Sequence, residues 1–119
     1  MDRITVDVDR TMEDIDRERD QIREKDLGDK ASELTRDALD RIEKSMVELN
    51  SRVREGANEI SSTTMEKAND FREELDQLRN RVRERRKEIE RKGLEQKSEE
   101  VLDDVRNRYN SIVDKYFKA

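Results

Sequence analysis

From Ala31 onward the chain carries one apolar stripe: Leu34, Ala38, Ile42, Met46, Leu49, Val53, Ala57, Ile60, Thr64, Ala68, Phe71, Leu75, Leu78 and Val82. Counted from Ala31, that is 14 steps in 51 residues, or 3.64 residues per step. A straight α-helix repeats every ~3.6 residues and a left-handed coiled coil every ~3.5. The stripe therefore predicts straight antiparallel helices or a loosely wound bundle rather than a long heptad zipper. A mainly α chain is the first expectation.

Composition sharpens this. Half of the 119 residues are charged, 30% are hydrophobic, and there is no proline or tryptophan. Such a chain cannot build one large globular core, but long amphipathic helices that bury a narrow stripe suit it. With no cysteine and no histidine, disulfide frameworks, zinc fingers and histidine-based catalysis are excluded. No hydrophobic run approaches the length of a membrane span and no signal peptide is visible, so a cytoplasmic protein is expected. Arginine outnumbers lysine 18 to 9, yet acidic residues prevail and the net charge is −5.

The N-terminus departs from the helical period. In Arg3-Ile4-Thr5-Val6-Asp7-Val8-Asp9 apolar and polar residues alternate strictly. Ile4, Val6 and Val8 fall on one side of an extended segment, and Arg3, Thr5 and Asp7 on the other. β-branched residues at alternate positions suit a half-buried strand. A strand needs a partner for its N–H and C=O groups, and no second strand-like run exists in the chain. Pairing with the same strand of another copy, and so a dimer, is the expectation.

A helix is expected next, with Thr11 as cap and Asp14 three residues on. Met12, Ile15 and Ile22 mark its face, with Arg19 in the slot between the last two. It ends at Leu27-Gly28, where glycine suits a left-handed C′ position. Asp29-Lys30-Ala31 makes the turn. Ser32 is a good N-cap and Glu33 favours the positive end of a second helix. Leu34, Ala38 and Ile42, flanked by Leu39, line one face of that helix.

Over residues 2–46 this order resembles the ribbon-helix-helix family, the fold of the Arc and methionine repressors. The text that carries it is RITVDVD for the ribbon and GDKASELTRDAL for the turn and second helix. The resemblance implies two copies whose ribbons pair antiparallel and enter the major groove of double-stranded DNA. Arg3, Thr5 and Asp7 would then read base edges, while Lys30, Ser32 and Glu33 would meet the phosphate backbone. Ile4, Val6, Val8, Leu34, Ala38 and Ile42 would form the dimer core. Against this, residues 1–49 hold 10 basic and 16 acidic side chains.

The remainder reads as helix. Gly56 and Ser61-Ser62-Thr63-Thr64 are weak points, and Thr63 with Glu66 makes a capping box, so a turn or kink is expected at 61–64. The second helix would run from Ser32 to Ile60. Residues 79–92 hold eight basic and three acidic side chains, the chain's one strongly basic segment. Its ordinary reading is a solvated face with intrahelical pairs; its functional reading is a contact with DNA or an acidic partner. Arg85 stands in the stripe between Val82 and Ile89. Gly93 suits a C′ position, and Ser98-Glu99-Glu100 opens a last helix. Tyr109, Tyr116 and Phe117 would pack on Phe71 and Leu75, pair with a second copy, or form a docking surface. The expected division is a DNA-binding domain over 1–49 and a helical extension over 50–119, with helices at 50–60, 64–92 and 98–117.

No nucleophile–base pair, phosphate-cradling glycine loop or metal-ligand spacing is present, so no enzyme, catalytic residue, cofactor or metal is expected. Two readings stand. One is a prokaryotic dimeric DNA-binding regulator or repressor, with an antitoxin or plasmid-maintenance protein as its variant. Its C-terminal helices would set higher homo-oligomers or take a protein partner. The other is a coiled-coil scaffold or filament subunit without DNA binding, which the acidic N-terminal half favours. Lipid association through the amphipathic helices is weaker, because the stripe is narrow.

Overall fold

A computed structural model describes residues 3–24, 28–57 and 62–117. Four helices account for nearly all of them: α1 (Arg3–Glu24), α2 (Ala31–Ala57), α3 (Ser62–Lys92) and α4 (Ser98–Phe117). A short 3-10 turn over Gly28–Lys30 feeds α2. Each helix has one apolar face, and the four faces share one core. α1 gives Ile4, Val8, Ile15 and Ile22; α2 gives Leu39, Ile42, Met46, Leu49 and Val53. α3 gives Phe71, Leu75, Leu78, Val82 and Ile89, and α4 gives Val101, Leu102, Val105, Tyr109 and Val113.

Cross-helix pairs fix the directions. Glu18 meets Arg41 while Asp7 meets Arg52, so α1 and α2 run antiparallel. Arg83 meets Glu43 while Arg36 meets Glu90, which does the same for α2 and α3. Glu74 with Lys115 and Phe71 with Phe117 set α3 against α4. Arg23 with Glu99 and Arg106 with Asp16 close the ring between α4 and α1. The result is an up-down-up-down bundle, 50 × 25 × 20 Å, in which each helix flanks the next.

Here the N-terminal expectation is overturned. Residues 3–9 are the first two turns of α1, not a strand, and no strand occurs among the described residues. The ribbon-helix-helix resemblance falls with the strand. The reason is period. Ile4 and Val8 share a side in both conformations, but only a helix aligns them with Thr11, Ile15 and Ile22. All five are buried, whereas Val6 stands 38% exposed. The β-branched residues cost the helix about 0.5 kcal/mol each. Burying Ile4 and Val8 returns about 1.5–3 kcal/mol apiece, and the helix satisfies its own backbone without a second chain.

The same shift removes the expected cap. Thr11 lies inside α1, where its hydroxyl donates to the Asp7 carbonyl at 3.1 Å. α2 begins at Ala31, placing Ser32 and Glu33 in its first turn. α2 is continuous through residues 49 and 50, where the sequence suggested a division. Leu27, Ile60 and Ser61 lie outside the described residues. Gly28, at φ 49°, holds the left-handed turn between α1 and α2. Gly93, at φ 79°, ends α3, and its N–H donates to the Ile89 carbonyl at 2.8 Å. Gly56 serves close packing instead. A Cβ there would lie 3.1 Å from the Ile4 side chain, so its absence lets the start of α1 close on the end of α2.

Candidate interaction surface

The residues expected to read DNA do not share a face. Arg3 opens α1, and its side chain lies outside what the structure describes. Thr5 is half-buried on α1. Asp7 is buried in the α1–α2 seam and accepts from Arg52 at 3.2 Å. Lys30 and Glu33 are exposed and Ser32 half-buried, all at the opposite end of the bundle from Asp7. Of the residues expected to form a dimer core, Ile4, Val8, Ala38 and Ile42 are buried inside this one chain. Leu34 packs partly against the same core, and Val6 does not join it.

Three of the four seams between neighbouring helices are laced by arginine and carboxylate. Between α1 and α2, Arg41 grips Glu18 with two hydrogen bonds of 2.8 and 2.9 Å. Carboxylate contact raises the Arg41 and Arg52 pKa values. Between α2 and α3, Glu43 is buried and receives both Arg83 and Arg86, while Arg86 also reaches Asp40. A hydrogen bond from Lys44 holds Asp40 below the usual carboxylate range, and the Arg86 charge adds to it. Between α4 and α1, Arg19, Arg23 and Arg106 meet Asp103, Glu99 and Asp16. Deeper in that seam the Tyr109 phenol donates to the Val8 carbonyl at 2.7 Å, and burial raises its pKa.

The α3–α4 seam is different. Lys115 meets Glu74 at 3.3 Å at one end, where Tyr116 and Phe117 stand edge-on to Phe71 with ring centres 6.3 and 4.8 Å away. Hydrogen bonds from Tyr116 and Lys115 lower the Glu74 pKa. From Gln77 to Gly93, no ion pair or hydrogen bond joins the two helices among the described residues. Three adjoining hollows, of about 320, 230 and 370 Å³, run along this stretch. They share Arg85, Glu88 and Val101 at one junction and Leu78, Arg81 and Arg108 at the next. Their floor is apolar, with Leu78, Val82, Ile89, Val101 and Val105.

The rim is charged. On α3 it is Arg81, Glu84, Arg85 and Glu88, none of which makes an ion pair or hydrogen bond among the described residues. On α4 it is Asp104 and Arg108, which pair with each other at 3.0 Å. The basic segment at 79–92 is thereby divided. Arg79, Arg83 and Arg86 are committed to carboxylates, whereas Arg81 and Arg85 line the open seam.

The chain matches no family model, no curated protein and no solved structure. Its geometry is therefore the ground for any functional reading.

A separate hollow, of about 580 Å³, lies between α2 and α3 beside the 44%-exposed Val47. It is crossed by Arg72, which donates to the Asn50 side chain at 2.9 Å while Asn50 donates back to the Arg72 carbonyl. Among the described residues no cluster of three or more acidic side chains is arranged to hold a metal ion, and no helix is long and apolar enough to cross a membrane. The four-residue rim of α3 did not stand out in the sequence. Its signal was present: charges of alternating sign at i, i+3, i+4 and i+7, on the side of the helix next to the stripe.

Proposed function

We propose that this chain is a non-catalytic structural module, a scaffold subunit that associates through its α3–α4 face. The observation that carries the reading is the seam itself. The other three seams between neighbouring helices carry arginine–carboxylate contacts, while this one, away from its Lys115–Glu74 end, keeps an apolar floor and a charged rim whose α3 members have no partner among the described residues. Regulation of transcription through a two-stranded ribbon is not retained, since the residues it needs are helical.

The absence of cysteine makes a direct test practical. A photo-crosslinker attached at Gln77→Cys, on the seam, is compared with one at Asp9→Cys, on the exposed side of α1. Activation in the native cells should give discrete higher-mass adducts from position 77 and none from position 9. Equal adducts from both positions, or none from 77, overturn the reading.

A further inference from the structure

The charged rim of α3 has a property that selects its occupant. Arg81, Glu84, Arg85 and Glu88 read plus, minus, plus, minus at i, i+3, i+4 and i+7, on one side of the helix. When the order is reversed, every sign is reversed with it. Two copies of this helix laid antiparallel about a two-fold axis between residues 84 and 85 therefore match throughout. Arg81 faces Glu88 of the partner subunit and Glu84 faces Arg85 of the partner subunit, and symmetry repeats both pairs. Resting on the scaffold reading above, we infer that the occupant of the α3–α4 seam is a second copy of this chain, held in a two-fold symmetric dimer.

Several observations meet in this assignment. The four side chains have no partner among the described residues of the subunit, whereas the other three seams each carry arginine–carboxylate pairs between helices. A two-fold contact uses the same patch on both subunits, so a self-complementary patch is what it requires. The open stretch from Gln77 to Gly93 is about 24 Å long at the helical rise of about 1.5 Å per residue. That is enough to seat the same stretch of a partner helix. A stable dimer hides about 800 Å² per subunit, near a tenth of the 7585 Å² surface of this chain. The flanking face of α4, with half-buried Ile112 and the Asp104–Arg108 pair, supplies area beyond the rim. Charge sets the register of such a contact and makes it sensitive to salt.

The test is sedimentation equilibrium of the full chain, with two charge reversals. Arg81→Glu/Arg85→Glu makes the rim wholly acidic, and Glu84→Arg/Glu88→Arg makes it wholly basic. The unaltered chain should be a dimer at low salt, with its dissociation constant rising roughly tenfold or more at high salt. Each reversed variant alone should be a monomer, and an equimolar mixture of the two should restore a dimer. Circular dichroism checks that both remain helical. The single exchanges Arg85→Glu and Glu84→Arg, which face each other across the axis, repeat the test with half the charge change. A chain that stays monomeric at every concentration overturns the inference, and so does a dimer that ignores both reversals. Either result leaves the scaffold reading intact if crosslinks from position 77 still join a different protein. Loss of those crosslinks removes both.

Discussion

Val6 and Val8 are two positions apart and have opposite fates: Val6 is 38% exposed and Val8 is 1% exposed. In a strand they would share a side, so a pair of substitutions distinguishes the conformations. Val6→Lys should change stability by no more than about 0.5 kcal/mol, as surface exchanges do. Val8→Ala should cost about 2 kcal/mol, from two lost methyl groups and the cavity they leave. Urea unfolding of the two variants checks this, and equal losses would restore the strand. Tyr109 is the other decisive residue, because its ring fills the core and its hydroxyl holds Val8. Tyr109→Phe should cost about 1 kcal/mol, the net worth of one buried hydrogen bond. The phenol pKa lies above the ordinary 10.0 in the folded chain. The unfolded chain therefore loses this proton first, and stability should fall as pH rises beyond about 10. Tyr109→Phe should flatten that alkaline decline in a pH series of thermal melts.

Among elements, α2 and α3 show how a chain with so many charges can bury a carboxylate between two helices. Glu43 is buried and is reached by Arg83 and Arg86 from α3. Removing it leaves Arg83 without a carboxylate while Arg86 keeps Asp40, and both guanidinium groups still touch water, so the loss is below that of a fully buried pair. Glu43→Ala should cost about 1–2 kcal/mol, and Glu43→Gln should cost less because it keeps the packing. Thermal denaturation of both variants tests the order; equal melting points for the two and the parent would mean the contact contributes nothing. Arg19 and Arg85 occupy comparable places, each interrupting an apolar face of its helix. Arg19 is answered by Asp103 across the α1–α4 seam. Arg85 has no such answer among the described residues, and this difference separates a closed seam from an open one.

For the whole molecule, the carboxylates set the acid limit. Asp40 and Glu74 titrate below their ordinary values of 3.8 and 4.5, chiefly through hydrogen bonds from Lys44 and Tyr116. A depressed carboxylate contributes stability that is complete above its unfolded pKa and is lost as pH falls through the folded one. The bundle should therefore hold its stability down to about pH 4.5 and lose it progressively below. Helical circular dichroism followed from about pH 7 to about pH 2 measures this. An acid transition centred above about pH 5 would show that other groups govern it.

How much of this was legible follows from range. The stripe from Ala31, the mainly helical character and the left-handed glycines at 28 and 93 depend on residues within a turn or two of one another. The sequence alone determined them. The fate of residues 3–9 was not local. Alternation at Ile4, Val6 and Val8 fits a strand of two-residue period, and only the arrival of α2 and α4 around Val8 and Ile15 chooses the helical period. The same holds for charge. The arginines of 79–92 look alike in sequence, and the tertiary structure alone decided that Arg83 and Arg86 meet Glu43 while Arg81 and Arg85 meet no carboxylate among the described residues. A pattern within one helix fixes which side is apolar; which charges find a partner depends on the helix that lies opposite, often forty residues or more away along the chain.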